Sequence, residues 1–91
     1  VQFVDTFEEA IAAANNTKYG LAAGLISDNK NLFREFVDSI NAGVINFNST
    51  TTGASGAFPF GGIGRSGNLR PAGYYAADYC AWPKASIIKQ L

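Results

Sequence analysis

The residues of this chain best suited to binding a small molecule lie within Asn46–Pro71. Six of the ten glycines fall in Gly53–Gly67, together with two serines and with Arg65 as the one charge. Glycine lets a ligand approach backbone N–H groups closely, and consecutive N–H groups beside a hydroxyl can bind an anion without a full positive charge. Because a long stretch without helical or strand periodicity is usually functional, we predict a structured, ligand-facing loop over 48–70.

A flexible linker is the alternative interpretation of this composition. Linkers rich in Gly and Ser rarely contain large apolar side chains, whereas this stretch contains Phe58, Phe60 and Ile63. These three residues favour a loop that packs against the rest of the domain.

The segment Gly62–Gly67 matches the pattern G-x-G-x-x-G. This pattern binds a dinucleotide when a strand precedes it and a helix follows, so that the pyrophosphate meets the N-terminus of the helix. Pro59 precedes the segment and Pro71 follows it closely, which fits neither element. We therefore predict no cofactor-binding residue here.

Few residues of the chain are of a type and in a setting suited to catalysis or metal binding. The chain has no histidine, the commonest general base and metal ligand, and its acidic residues fall mainly on predicted helix faces and caps. Cys80 lies beside Tyr79 and Trp82, with no histidine and no helix N-terminus to activate it, and we expect a buried, inert thiol. The sequence thus predicts no catalytic residue and no metal site.

The overall composition limits the partners. Seven basic and seven acidic residues cancel, so we expect neither nucleic acid nor an anionic membrane surface as a partner. A single cysteine fits a reducing compartment, and we expect a cytoplasmic location. The 91 residues suffice for one small domain or a piece of a larger one. Since the chain opens with Val1 and contains no methionine, we expect a piece of a longer protein.

The first half of the chain predicts alternating strands and helices. Val1–Val4 suits a short strand, and Thr6 with Glu9 forms a capping box ahead of a helix over Phe7–Asn15. Leu21–Ser27 is apolar and uncharged, as expected of a strand that is buried on both faces.

A second helix is predicted over Asn29–Asn41, with Asp28 as its N-cap and Gly43 as its left-handed stop. Its apolar stripe consists of Leu32, Phe33, Phe36, Val37 and Ile40. Val44–Phe47 then forms a third strand. This order predicts an α/β fold, βαβαβ with parallel strands, in which ligands bind beyond the carboxyl ends of the strands. The glycine-rich loop begins at that end of the third strand.

The C-terminal part is predicted to be less regular. Pro71 could open a short helix that continues to Tyr79, and Pro83 prevents its continuation. Residues 85–91 suit a terminal strand or an extended tail.

Three motifs resemble the aldehyde dehydrogenase superfamily. Pro59–Gly67, Ala14–Leu25 and Ala42–Asn46 are similar to its C-terminal part, in the same order, and the resemblance runs over essentially all 91 residues. It implies that 1–91 is the C-terminal part of a catalytic domain.

Further segments resemble one branch of this family. Thr51–Ser55, Gly67–Pro71 and Tyr74–Pro83 are most similar to the enzymes that oxidise N-succinylglutamate 5-semialdehyde in arginine catabolism. The branch that acts on 1-pyrroline-5-carboxylate has a similar Thr-Gly-Ala loop and remains an alternative. A non-catalytic module for carboxylate binding or subunit assembly is a second alternative.

The resemblance implies an NAD-dependent oxidation through a cysteine thiohemiacetal and thioester. It also implies that the nucleophilic Cys, the general-base Glu, the oxyanion-hole Asn and the Rossmann domain that binds NAD lie upstream of Val1. Cys80 matches none of these positions, so this chain by itself is expected to be non-catalytic. The choice between NAD and NADP stays open.

The resemblance assigns binding roles to a few residues. Thr52, Gly53, Ala54 and Ser55 match the loop that anchors the carboxylate of the substrate, and Phe60 matches the aromatic wall of the aldehyde pocket. Arg65 and Arg70 are candidates for a second carboxylate anchor, although structural ion pairs or carbonyl contacts are equally natural for them. Residues 85–91 match the segment that pairs with an oligomerisation arm, which implies a homo-oligomer.

Overall fold

The first helix begins and ends where the sequence predicts. In the computed structural model, which describes residues 1–67 and 71–90, α1 spans Phe7–Asn15. The hydroxyl of Thr6 accepts a hydrogen bond from the backbone N–H of Glu9 at 3.1 Å. The carboxylate of Glu9 in turn accepts one from the N–H of Asp5, also at 3.1 Å. Such a cap stabilises a helix by about 1 kcal/mol, which explains why so short a helix starts at a defined residue.

A parallel strand pair with a crossover helix forms the centre of the chain. After β1 (Tyr19–Gly20) come β2 (Ala22–Leu25), α2 (Lys30–Ser39) and β3 (Val44–Phe47). Strands β2 and β3 are parallel, with Ala22 opposite Val44 and Leu25 opposite Phe47. The α/β class and this βαβ unit are therefore confirmed.

Helix α2 covers one face of the strand pair. Phe36 and Ile40 are buried, and they form the apolar core of the described residues. Phe33 stacks on Phe47 of β3. Of the predicted stripe, Leu32 and Phe33 are half-buried, whereas Val37 is exposed.

Both predicted ends of α2 need correction. Its N-cap is Asn29, whose side chain accepts a hydrogen bond from the N–H of Asn31 at 2.9 Å, and not Asp28. The helix ends at Ser39, and Gly43 does not adopt a left-handed conformation. Gly43 is instead required by packing, because a Cβ at this position would overlap the carbonyl of Gly61.

The glycine-rich segment folds back onto the domain through short antiparallel pairs, so the linker interpretation is wrong. Strand β5 (Ile63–Gly64) pairs with β1, and β4 (Pro59–Phe60) pairs with β6 (Ala72–Gly73). Gly64 has a φ of 59°, a backbone conformation that favours glycine. Strand β4 ends one residue after Pro59 and shortly before the G-x-G-x-x-G pattern, but β5 lies inside the pattern, where a dinucleotide-binding loop would turn into a helix.

The C-terminal elements differ from the prediction. No helix opens at Pro71, because the chain enters β6 at Ala72, and helix α3 is confined to Ala76–Tyr79. Residues 81–90 are exposed and belong to no helix or strand, which agrees with an extended tail. Leu91, the last residue of that tail, lies outside the described residues.

Three burial or strand predictions are wrong. Val1–Val4 is not a strand, since no described strand lies beside it to complete a ladder. The strand expected over Leu21–Ser27 shrinks to β2 and is not buried on both faces, as Ile26 is 76% exposed. Cys80 is exposed, at the residue that follows the four-residue helix α3.

No described helix is both long and apolar enough to cross a bilayer.

Candidate functional site

A cavity of about 480 Å³ lies between β3 and the loop that follows it. Its walls are formed by Gly43, by Val44–Asn46 of β3, by the loop residues Gly53–Ser55 and by Phe58–Phe60. The volume is in the range of small-molecule sites. The lining contains no charged side chain, so an anion bound here would depend on neutral hydrogen-bond donors.

The loop residues supply such donors. Among the described residues, no oxygen accepts a hydrogen bond from the N–H of Gly53, Ala54 or Ser55, and all three residues are exposed. The hydroxyl oxygen of Ser55 accepts a hydrogen bond from the N–H of Ala57 at 3.2 Å, which orients the side chain. The O–H of a serine that accepts one hydrogen bond can still donate its proton. These groups can together bind a carboxylate without a cation.

The backbone of Ser55 also fixes the shape of the loop. Its carbonyl accepts a hydrogen bond from the N–H of Phe58 at 3.1 Å, closing a turn that ends immediately before β4. The donors are therefore positioned by a turn that is anchored to a strand on its C-terminal side.

Thr52 lies apart from this group. Its hydroxyl is 2.8 Å from the hydroxyl of Thr50, and the residue does not line the cavity. The structure thus brings Gly53, Ala54, Ser55 and Phe60 together around one cavity and places Thr52 outside it.

The side chain of Phe60 lines two cavities. Besides the first, it lines a second cavity of about 340 Å³, whose wall also includes Arg65 and Leu21. The N–H of Arg65 donates a hydrogen bond to the carbonyl of Lys18 at 2.8 Å, which fixes its backbone beside β1. Arg65 is therefore in a different cavity from Gly53–Ser55, on the other side of a shared aromatic wall. Arg70 lies outside the described residues.

Asn46 is a residue of the cavity wall that the sequence does not predict. It lines the first cavity, and its Nδ2 is buried without a hydrogen-bond partner among the described residues. Leaving such a donor unpaired costs about 1–3 kcal/mol. The sequence feature that could have indicated a role for Asn46 is its position as a polar residue inside the apolar run Val44–Phe47.

The described part of the chain contains no cluster of three or more His, Cys, Asp or Glu side chains that could bind a metal ion.

This α/β unit, with a glycine-rich loop over the end of a parallel strand, matches a known family. Residues 1–85 fit the aldehyde dehydrogenase family, so the chain belongs to that family.

The relatives point to one branch. The chain is 60% identical over 87 residues to N-succinylglutamate 5-semialdehyde dehydrogenase 2 of Caulobacter vibrioides, covering 96% of this chain and 18% of that protein. The chain therefore spans less than a fifth of that relative.

Solved structures agree with the fold. Aldehyde dehydrogenase 21 from Physcomitrella patens, in complex with the reaction product succinate, superposes with a TM-score of 0.75 at 29% identity. That match covers 82% of this chain and 16% of the solved one. The NAD⁺ complex of an aldehyde dehydrogenase from Bacillus cereus gives 0.74 at 39% identity, covering 82% and 15%.

Proposed function

We propose that this chain is the C-terminal part of the catalytic domain of an enzyme that oxidises N-succinylglutamate 5-semialdehyde to N-succinylglutamate in arginine catabolism, with NAD(P) as the oxidant. The relative from Caulobacter vibrioides with that name, at 60% identity, supports the choice of substrate. The observation on which the proposal rests is the neutral cavity, in which the N–H groups of Gly53–Ser55 and the Ser55 hydroxyl can meet a carboxylate.

The role of this chain in that reaction is to bind and orient the substrate. The segment Gly53–Ser55 binds a carboxylate, and the ring of Phe60 forms the wall along the carbon chain. Because the ring is apolar, it keeps water away from the aldehyde end of the substrate. Holding the substrate in one orientation lowers the entropic part of the barrier to reaction.

The oxidation itself needs a hydride acceptor, which NAD(P) supplies when bound. The G-x-G-x-x-G segment does not fit that group, because it contains β5 where a dinucleotide-binding loop would turn into a helix. We therefore assign the cofactor site to the part of the enzyme outside this chain. The nucleophile is assigned there as well.

The tail is proposed to act in assembly. Trp82, Ile87 and Ile88 are 85%, 91% and 89% exposed, and residues 81–90 belong to no helix or strand. An exposed apolar segment of this kind can add to a sheet edge of another subunit. This supports a homo-oligomer.

The test uses the full-length protein encoded by the gene that contains this chain. NADH formation is followed by absorbance with N-succinylglutamate 5-semialdehyde, with the semialdehyde in equilibrium with 1-pyrroline-5-carboxylate, and with pentanal. The proposal expects the highest kcat/KM with the first. A preference for the second would favour the alternative branch, and no oxidation of any of the three would overturn the enzymatic assignment.

Two serines provide a matched pair for the binding site. Ser55→Ala removes a donor to the carboxylate and should raise KM for the semialdehyde by roughly 10-fold or more while KM for the cofactor stays unchanged. Ser49→Ala is the control, since Ser49 is exposed and lies outside the cavity lining. If Ser55→Ala instead lowers kcat strongly and leaves KM unchanged, the proposed role of Gly53–Ser55 in substrate binding is wrong.

A further inference from the structure

Asn48, the residue that follows β3, has a left-handed backbone. Its φ is 52°, and in the part of the chain that the structure describes it is the one residue other than glycine with a positive φ. Asparagine tolerates this conformation better than most residues, yet the conformation is retained only where the surroundings hold it. The entry to the glycine-rich loop is therefore a position with a defined and uncommon geometry.

Three hydrogen bonds hold Asn48 against the end of β2. Its N–H donates to the carbonyl of Leu25 at 2.8 Å, which continues the parallel ladder one step beyond Phe47. Its carboxamide pairs with the backbone of Ser27, where Oδ1 accepts from the N–H and Nδ2 donates to the carbonyl, each at 2.8 Å. A carboxamide has the donor and the acceptor of a peptide group, so this side chain extends the pairing of the two strands.

The segment after Asn48 crosses over β2 instead of continuing along β3. The carbonyl oxygen of Ser49 and the methyl group of Thr51 lie 3.5 Å and 3.4 Å from the position that a Cβ of Gly24 would occupy. Gly24 belongs to β2, so the loop passes over that strand immediately after Asn48. The left-handed residue and its bonds to Ser27 thus set the direction in which the loop leaves the sheet.

This passage leads to the segment Gly53–Ser55, which lines the cavity. On the C-terminal side of the segment, the carbonyl of Ser55 accepts the N–H of Phe58 in the turn before β4. A Cβ on Gly53 would meet no described atom within 4 Å beyond its chain neighbours, so packing does not hold the backbone there. The position of these donors therefore depends on the two ends of the loop, of which Asn48 is one.

We propose that Asn48 is a positioning residue of the carboxylate site: its carboxamide, bonded to Ser27, holds the loop in the arrangement in which Gly53–Ser55 lines the cavity. The inference rests on the proposed function and deepens it, because it names what orders the donors before the substrate binds. Asn48 follows the Ala42–Asn46 motif of the whole family and precedes Thr51–Ser55, which resembles one branch. It thus stands at the entry to the loop segment that distinguishes the branch.

The first variant removes the carboxamide in the full-length enzyme. Asn48→Ala loses both hydrogen bonds to Ser27 and disfavours the left-handed backbone, so a smaller fraction of the molecules has a loop that is ready to bind. The apparent affinity falls by the same factor as that fraction. KM for the semialdehyde should rise roughly 5- to 30-fold, with kcat changed less than about threefold. KM for pentanal and for the cofactor should not change, because neither has the carboxylate that Gly53–Ser55 binds in the proposed function.

A second variant separates the side chain from the backbone conformation. Asn48→Gly also loses the carboxamide, but glycine adopts a φ of 52° without strain. Its KM for the semialdehyde should therefore lie between those of the wild type and Asn48→Ala. Asn41→Ala is the matched control, since Asn41 is exposed, lies outside the cavity lining and bonds to Asn15 through its backbone N–H.

Unchanged KM for the semialdehyde in Asn48→Ala overturns the inference. An equal rise for the semialdehyde and for pentanal also does, since Asn48 would then support the whole site and not its carboxylate end. Wild-type KM in Asn48→Gly overturns it too, because the left-handed backbone would then be sufficient without the carboxamide. If Asn48→Ala does not fold, Asn48→Gly decides, and a rise in KM for the semialdehyde but not for pentanal supports the inference.

The inference and the proposed function fail in different ways. The proposed substrate is tested on the wild-type enzyme alone, and it is wrong if that enzyme prefers a different carboxylated semialdehyde. The KM comparison is then made with the preferred semialdehyde against pentanal, and its outcome still decides the role of Asn48.

Discussion

The rings of Phe33 and Phe47 stack with their centroids 4.8 Å apart and an angle of 27° between their planes. Phe33 belongs to α2 and Phe47 ends β3, so this contact joins the crossover helix to the strand that leads into the glycine-rich loop. Asn46, one residue earlier, lies on the other face of the same strand. The packing of the helix thereby fixes the orientation of the strand that forms one wall of the cavity.

The first prediction concerns this aromatic pair. In a double-mutant cycle with Phe33→Leu and Phe47→Leu, urea unfolding of the full-length protein should give a coupling of about 0.5–1.5 kcal/mol, as stacked rings do beyond their buried area. The cycle is its own control, because each leucine retains apolar volume. Strictly additive effects would mean that the rings touch without specific stabilisation.

The second prediction concerns Asn15, which joins the end of α1 to the end of α2. Its Nδ2 donates a hydrogen bond to the carbonyl of Ser39 and its Oδ1 accepts one from the N–H of Asn41, each at 2.8 Å. Asn15→Ala should lower the free energy of unfolding by about 1–3 kcal/mol, since both backbone groups lose their partner.

Asn16→Ala is the matched control for Asn15, because the neighbouring Asn16 is exposed and serves as the C-cap through its backbone. Asn15→Asp should be intermediate, as it retains the acceptor for Asn41 but cannot donate to Ser39. Equal stability of the Asn15→Ala and Asn16→Ala variants in denaturant titrations would contradict the bridging role.

The third prediction uses two glycines with different surroundings. A Cβ on Gly43 would overlap the carbonyl of Gly61, so Gly43→Ala should destabilise the protein by more than about 2 kcal/mol and raise KM, because Gly43 lines the cavity. Gly56→Ala is the control, since a Cβ on Gly56 would meet no described atom within 4 Å beyond its chain neighbours. Its stability should change by less than about 1 kcal/mol in thermal and urea unfolding. Similar losses in both variants would argue against the close approach at Gly43.

The sequence predicted the regular elements where a local pattern was strong. Thr6 and Glu9 form a cap whose spacing specifies the start of α1, and the predicted bounds of that helix match the observed ones. Asp28 and Asn29 are both good N-caps, so local preference alone could not decide between them. The structure places Asn29 there, where it accepts the N–H of Asn31.

Other features depend on partners distant in the sequence. Val1–Val4 has the apolar character of a strand, yet a strand forms only beside another. Strands β4, β5 and β6 have two residues each, too few to show a period of two. The loop donors were predicted from composition and resemblance, whereas Asn46 needed coordinates, since burial without a partner is not visible in a sequence.

The last prediction concerns the 91-residue chain alone. Trp82, Ile87 and Ile88 are almost fully exposed, and β2 and β3 pair with no other described strand. Apolar segments and open strand edges recruit other chains, so the isolated chain should self-associate at micromolar concentration, as measured by light scattering. The double variant Ile87→Lys/Ile88→Lys should reduce this association, whereas Ala85→Lys, one charge in the same tail, should reduce it less. The isolated chain should also form no NADH from aldehyde and NAD⁺, because the proposed function assigns the nucleophile and the cofactor site to the part of the enzyme outside this chain. A stable monomer would mean that the tail covers the open strand edges, and measurable oxidation would place catalytic residues within these 91.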